Sequence, residues 1–250
     1  MSIWGKIIGG FGGFAIGGPL GALMGAVAGH AYDKSKDNGD AHYSDDSVAQ
    51  QVAFTTAIIA LAAKMAKSDG RVTRDEVDAF KSLFNIPQEE LKNVGRLFNE
   101  AKKDAGGFER YAEQVSMMFA REPVVLEELL GGLFYIARAD GVLHPEEVDF
   151  LHKTAMILGF SEIQFERLKA IHMGDLSQRR ETLNPYQVLG IKRDVSDSIV
   201  KNTYRRLIRE NHPDTLIAKG MPQEFIDVAN EKMAAINAAY DLVEKERGLK

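Results

Sequence analysis

Apolar stretches with helical spacing alternate along this chain with short polar breaks, a pattern that predicts an all-α protein. The first apolar stretch runs from residue 7 to residue 31 without Asp, Glu, Lys or Arg, which is long enough to cross a bilayer as one helix. We therefore predict five segments: a single-span membrane anchor at 1–32, a polar linker at 33–47, an all-helical domain at 48–173, a short linker at 174–183 and a helical module at 184–250.

Glycine recurs at every fourth position from Gly5 to Gly29 within this anchor. Residues four apart form a ridge on one side of a helix, and glycine in the ridge lets a second backbone approach closely. The pattern predicts a glycine-zipper transmembrane helix and a homodimer through its glycine face. The self-association residues are Gly9, Gly13, Gly17, Gly21 and Gly25.

Three other interpretations of the anchor stay open. Ala26-Val27-Ala28 could serve as the cleavage site of a signal peptide. Pro19 at the middle of the stretch is compatible with a glycine-rich hairpin that does not span the bilayer. The span could also be monomeric, with a glycine repeat that is neutral for packing. The flanking charges are too balanced to orient it.

The middle region contains an internal sequence repeat. Residues 66–72 and 137–143 each follow an apolar helix, contain Asp-Gly and precede an acidic helix start, and the two copies lie 71 residues apart. Thr73 with Glu76, and Ser161 with Gln164, have the spacing of capping boxes, while Pro145 suits the first position of a helix. These signals predict about seven helices between residues 48 and 175.

The Asp-Gly pairs also suggest a metal site. An EF-hand would need oxygen ligands two and four residues before Asp69, where Lys67 and Met65 stand instead. We therefore interpret these acidic residues as helix-terminating and helix-starting signals, and we predict no metal and no cofactor.

The C-terminal module has three predicted helices. Asn184-Pro185 starts a short one that ends at Gly190, and Ser196-Asp197 starts a longer one that must end near Asn211, because the residue before a proline is disfavoured in the α conformation. The sequence places His212-Pro213-Asp214 in the connecting loop and restarts a helix at Pro222, which gives an antiparallel helix pair. The predicted buried stripe of the last helix is Phe225, Ala229, Met233, Ile236, Tyr240 and Val243.

One side of the second helix is cationic. It carries Lys201, Arg205 and Arg209 at four-residue spacing, with Arg206 beside them. Nucleic acid is a weak interpretation of this face, because residues 184–250 contain eleven Lys and Arg against ten Asp and Glu.

These residues resemble a J domain, the module of DnaJ-type co-chaperones. The resemblance covers residue 184 to about residue 250, and its motifs are Pro-Tyr-x-x-Leu-Gly at 185–190, Tyr-Arg-Arg-Leu at 204–207, His-Pro-Asp at 212–214 and Ile-Asn-Ala-Ala-Tyr at 236–240. The stretch 215–222 and the anchor ends at 4–9 and 29–30 are similar to membrane-anchored DjlA-type proteins. The middle region resembles the TerB-type helical domain of tellurite-resistance proteins at the level of its pattern.

The resemblance implies docking of the basic face on a DnaK-type chaperone. Asp214 would then engage a cationic group of that partner, while His212 and Pro213 shape the loop, and Lys201, Arg205, Arg206 and Arg209 complete the binding residues. The chain departs from the family at two places. Thr215 stands where many J domains carry lysine, and the linker at 174–183 is shorter than in DjlA-type relatives. Ten residues reach at most ~35 Å, which implies that the J domain stays near the helical domain.

Composition narrows the function classes. The chain has 250 residues, a net charge of −5 and no cysteine, so thiol nucleophiles, disulfides and cysteine-based zinc sites are excluded. The six histidines are scattered, and no phosphate-binding loop or nucleophile motif appears, so we do not expect an enzyme.

We expect a co-chaperone in the bacterial inner membrane, a single-pass protein with its C-terminal domains in the cytoplasm. Its J domain would stimulate a DnaK-type ATPase and recruit it to membrane-proximal clients. The alternative is a membrane scaffold or signalling adaptor that acts through the helical domain, with the J domain as a docking handle. The client is not identifiable from the sequence.

Overall fold

A computed structural model of the protein describes Gly21 and residues 44–68, 74–84, 86–103, 107–173, 184–219, 221–222 and 225–249. All regular secondary structure in these ranges is helical, as the apolar spacing predicts. None of the helices within them is both long and apolar enough to cross a membrane. Several predicted features lie outside these ranges: the linker at 174–183, residues 33–43 of the linker predicted at 33–47, the turn at 69–73 with its Thr73 cap, and the anchor apart from Gly21, which is helical. The last four residues of the first linker, 44–47, are helical.

The middle region contains seven α-helices within the described ranges, which confirms the predicted number. A 3-10 turn at Gln88–Glu90 precedes the third. The helices are α1 (Ser44–Ser68), α2 (Arg74–Phe84), α3 (Leu91–Lys103), α4 (Phe108–Met118), α5 (Pro123–Ala137), α6 (Pro145–Ile157) and α7 (Glu162–Met173).

Helix α1 is the centre of this domain. Every residue from Val52 to Ala66 is buried, and α1 packs against α3, α4, α5 and α6. A helix with apolar residues around most of its circumference can be stable only where neighbours cover all its faces. The two repeated units correspond to the pairs α1–α2 and α5–α6.

Predicted helix starts are confirmed at the second repeat. Pro145 is the first residue of α6, and the Glu147 carboxylate accepts from the His144 N–H at 2.9 Å. Before α7, the N–H of Ser161 donates to the Gln164 side chain at 2.9 Å, while the Gln164 N–H donates to the Ser161 hydroxyl at 3.4 Å. These bonds satisfy backbone donors that the first turn of a helix leaves without partners.

The C-terminal module contains four described helices rather than three. They are α8 (Pro185–Leu189), α9 (Asp197–Glu210), α10 (Pro213–Ala218) and α11 (Phe225–Arg247). The loop prediction for His212-Pro213-Asp214 is wrong in part. Pro213 and Asp214 form the first turn of the short helix α10, with His212 as its N-cap. Proline favours this position because it has no N–H to satisfy and its φ angle is already helical.

Helix α11 belongs to two apolar cores. Its second half packs against α8 and α9, and residues such as Ile236 and Val243 join Leu189 and Val200 there. Its first half, with Phe225 and Val228, joins the core of the middle domain. The predicted stripe is therefore correct for Phe225, Ala229, Ile236 and Val243, whereas Met233 and Tyr240 are half-buried.

Candidate functional site

The His212-Pro213-Asp214 segment has a defined conformation. The Asp214 N–H donates to Nδ1 of His212 at 3.2 Å, so the imidazole caps the helix that begins at Pro213. The Asp214 side chain is 87% exposed, and its carboxylate lies 3.7 Å from Nδ1 of His212. The histidine therefore shapes the turn, and the aspartate presents its negative charge to solvent.

Three neighbouring residues fix this segment to α9 and to the middle domain. The Thr215 hydroxyl donates to the carbonyl of Arg209 at 3.1 Å, and the Asn211 amide donates to the carbonyl of Leu207 at 2.7 Å. Leu216 is fully buried in the core of the middle domain. The sequence predicts Thr215 only as a replacement for lysine and Asn211 only as the end of a helix, and it gives Leu216 no role. A polar residue after the last turn of α9 was the available signal for Asn211, because such residues commonly bond to free carbonyls there.

The four residues of the predicted basic face differ in their exposure and contacts. Arg205 and Arg209 are exposed on the same side of α9, with the half-buried Lys201 one turn earlier. Arg206 is exposed but forms an ion pair with Glu210 at 2.8 Å. Arg206 and Glu210 also line a cleft against Pro123 and Ile163 of the middle domain. Arg206 thus lies between the basic face and the helical domain.

Aromatic stacking joins the helix pair that carries the site. The rings of Tyr204 and Tyr240 are parallel with centroids 3.9 Å apart, and the Tyr204 hydroxyl donates to the Asn237 side chain at 3.1 Å. At the other end, the Arg247 guanidinium donates to the Tyr186 hydroxyl at 3.0 Å and to the Val195 carbonyl at 2.7 Å. These contacts set the position of α9, and hence of its arginines, relative to α11.

A cluster of buried charges joins the C-terminal module to the middle domain. The Lys232 ammonium lies 2.5 Å from Glu127 Oε1 and 2.7 Å from Glu128 Oε1, and the Arg167 guanidinium lies 2.6 Å from Glu127 Oε2. Burial alone would raise the pKa of Glu127, but the two cations lower it to about 2. Burial raises the pKa of Glu128, which has Lys232 as its bonded cation. The sequence motifs do not predict this cluster. Two adjacent glutamates inside an apolar helix were the available signal.

His172 lies beside the charge cluster at the end of α7. Its ring stacks on Phe134 with centroids 5.6 Å apart, and its carbonyl accepts from Arg138 at 2.6 Å. Burial, together with the positive charges of Arg138 and Lys232, lowers the pKa of His172 to about 3. The imidazole is therefore neutral at physiological pH.

The acidic residues of the second repeated turn are engaged in local bonds. The Asp140 carboxylate accepts from the Val142 N–H at 2.9 Å, next to Gly141 at a φ of 83°. In the described ranges, no group of three or more His, Cys, Asp or Glu side chains is arranged to hold a metal ion. These bonds agree with the interpretation of the acidic residues as helix and turn signals.

Three family models match the chain in order. The model described as Co-chaperone DjlA transmembrane domain matches residues 1–45, Tellurite resistance protein TerB matches residues 55–170, and DnaJ domain matches residues 184–248. Each of the three regions is therefore similar to the family that its sequence motifs indicated.

Curated relatives are similar over the whole chain. A Co-chaperone protein DjlA from Photobacterium profundum is 34% identical over 277 residues, covering 99% of this chain and 100% of the relative. Proteins of the same name from Vibrio cholerae and Salmonella typhimurium are 32% and 30% identical, with both chains fully covered. No solved structure matches the chain.

Proposed function

Because this chain belongs to the DjlA family of co-chaperones, we propose that its J domain stimulates ATP hydrolysis by a DnaK-type chaperone and recruits that chaperone to clients near a membrane. In this role the chain breaks no bond itself. It binds the partner and shifts the conformational equilibrium of the partner towards the state that hydrolyses ATP.

The presentation of Asp214 carries this proposal. Its carboxylate is 87% exposed at the start of a helix that Thr215 and Leu216 hold in place. A charge on a rigid support loses little conformational freedom on binding, so more of its interaction energy is available for recognition. Asp214 is the group that we assign to a cationic site of the partner, with His212 and Pro213 keeping it in position.

The exposed arginines supply the long-range attraction. Arg205 and Arg209 lie on one side of α9, and with Lys201 and Arg206 they form the proposed docking face for an acidic surface of the partner. Charges at the rim of an interface raise the association rate and orient the encounter more than they raise affinity. The basic face would therefore govern how fast the complex forms, and Asp214 would govern its effect.

The test is single-turnover ATP hydrolysis by a bacterial DnaK with the full chain in lipid nanodiscs. We expect the wild-type chain to accelerate hydrolysis, and Asp214→Asn to return the rate to that of DnaK alone, because the substitution removes the charge and keeps the shape. Asp241→Asn makes the same change at an exposed position of α11 and should leave stimulation intact.

Each other outcome has a definite meaning. Undiminished stimulation by Asp214→Asn would exclude the role assigned to this residue. A wild-type chain that does not stimulate DnaK would overturn the proposed mechanism and favour an adaptor that acts through the helical domain.

We also propose a single-pass anchor in the bacterial inner membrane with the C-terminal domains in the cytoplasm. The uncharged stretch from 7 to 31 and the match to a transmembrane-domain family at 1–45 support the anchor. The orientation follows from the proposed partner, because a DnaK-type chaperone needs cytoplasmic ATP. The glycine face, formed by Gly9, Gly13, Gly17, Gly21 and Gly25, is the proposed contact of a homodimer.

A further inference from the structure

The first half of α11 is part of the core of the middle domain. The Phe225 ring lies edge-on to the rings of Phe54 and Phe84, with centroids 4.7 Å and 5.6 Å away. Ile226, Val228 and Ala229 are buried in the same cluster. If the two domains separated, these apolar groups would be exposed to water on both sides, which opposes separation.

The buried charges restrict how the two domains can fit together. Lys232 is 1% exposed and belongs to the C-terminal module, whereas Glu127, Glu128 and Arg167 belong to the middle domain. A buried ion that loses its partner strongly destabilises a protein, because its charge is then neither hydrated nor compensated. Only a docking geometry that places the Lys232 ammonium between the two carboxylates avoids that cost. The contact of Lys232 with the two carboxylates therefore favours one docked arrangement of the domains, even where its net contribution to stability is small.

Further ion pairs lie towards both ends of this interface. Arg138, which directly follows α5, donates to Glu231 at 2.6 Å and at the same time to the carbonyl of His172. Nearer the His212-Pro213-Asp214 segment, Lys219 pairs with Glu122. Contacts at two separated places resist rotation of one domain on the other.

We propose that the TerB-like domain is the docking site for the J domain of its own chain, and that Lys232 is the positioning residue of this interface. The docked arrangement holds Asp214 at one distance from the TerB-like domain and in one orientation relative to it. It leaves Asp214, Arg205 and Arg209 exposed, so the proposed DnaK-type partner would bind on the side away from the docked helix. The docking claim stands without the proposed function, and only its effect on the partner rests on that function.

A distance measurement tests the docking in the full chain. The chain has no cysteine, so Ile163→Cys and Ile217→Cys can be spin-labelled selectively. Both side chains are exposed, one on α7 and the other on α10. Labelled chains would be diluted with excess unlabelled chains in nanodiscs, so that distances between two molecules do not contribute. We expect one narrow distance distribution by double electron–electron resonance.

Variants at Lys232 then test the positioning role. Lys232→Met removes the ammonium and keeps the length of the side chain, and we expect a broad distribution because the fixed arrangement is lost. Lys232→Arg keeps the charge and should restore the narrow distribution. Lys245→Met makes the same change at an exposed position of α11 and should leave the distribution narrow. The reference is the labelled chain that carries only Ile163→Cys and Ile217→Cys. A broad distance distribution in this reference, or a narrow one in Lys232→Met, would overturn the proposal.

Two further readouts separate folding from positioning. Circular dichroism should show the same helix content in Lys232→Met as in the reference. If that variant fails to fold, Glu127→Gln, which removes one carboxylate charge from the same cluster, takes its place in the distance measurement. Stimulation of DnaK should fall several-fold in Lys232→Met and recover in Lys232→Arg. A narrow reference distribution without any stimulation would reject the proposed function and leave the docking intact.

Discussion

At the scale of single residues, Gly132 shows how tightly the two domains pack. A Cβ atom at this position of α5 would lie 2.6 Å from the Ile58 Cδ1 and 2.7 Å from the Phe225 Cε1. Real Cβ atoms essentially never approach other atoms that closely. Phe225 has little room to move, because the rings of Phe54 and Phe84 surround it. Glycine is required here because neighbouring side chains leave no room for a Cβ atom, and not because of the backbone conformation.

We predict that Gly132→Ala destabilises the protein by about 1–3 kcal/mol, the usual cost of overpacking a core. The free energy of unfolding in urea measures it. Gly95→Ala is the matched control, since a Cβ there meets nothing within 4 Å. It should stabilise α3 by about 0.5–1 kcal/mol through helix propensity. Equal stability of Gly132→Ala and wild type would contradict the described packing of Phe225.

At the scale of elements, the segment around His212 shows why a predicted loop became a helix. The turn chemistry was visible in the sequence, since Pro213 is suited to the first helical position. The anchoring was not visible. Leu216 contacts the core of another domain, and Thr215 bonds back to Arg209. A six-residue helix has too few internal bonds to be stable alone, so these tertiary contacts decide whether it forms.

The glycine repeat supports a prediction at the same scale. Leucine at Gly17 and Gly21 would fill the ridge that lets two anchor helices approach, so Gly17→Leu combined with Gly21→Leu should reduce membrane self-association several-fold. Chemical crosslinking of the full chain in membranes measures the dimer fraction. Leucine at Ala15 and Ala22, which lie off the repeat, is the control and should leave the dimer in place. An unchanged dimer in the glycine variant would exclude this face as the contact.

At the scale of the whole molecule, the buried ionisable groups beside the domain interface make the free energy of unfolding depend on pH. The pKa of His172 is about 3 in the folded protein against 6.5 ordinarily, so its contribution is complete above pH 6.5 and is lost as the pH falls towards 3. Glu127, at about 2 against 4.5, acts in the same direction below pH 4.5. The raised pKa of Glu128 acts in the opposite direction above pH 4.5.

We therefore predict that lowering the pH from 7.5 to 5.5 removes about 1.4 kcal/mol of the His172 contribution to the free energy of unfolding. Because Glu128 acts in the opposite direction over the same range, the difference in slope between wild type and His172→Gln isolates this contribution. Urea unfolding across this range measures the slope. His172→Gln is neutral throughout, so it should flatten the slope. The loss of the ring that stacks on Phe134 should lower the stability at pH 7.5. A slope that is unchanged in His172→Gln would show that other groups cause the acid sensitivity.

The sequence by itself determined most of the local structure. Apolar spacing, Pro145 at a helix start, and Ser161 with Gln164 predicted helices that the structure contains, because these signals act over only a few neighbouring residues. The four J-domain motifs likewise indicated the family from short ordered patterns. Only the tertiary structure decided that α11 packs into two apolar cores and that Lys232 lies buried between two carboxylates. Its bonded partner Glu128 is 104 residues away in the chain. No local rule connects positions so far apart, and a lysine is buried only where a folded partner compensates its charge.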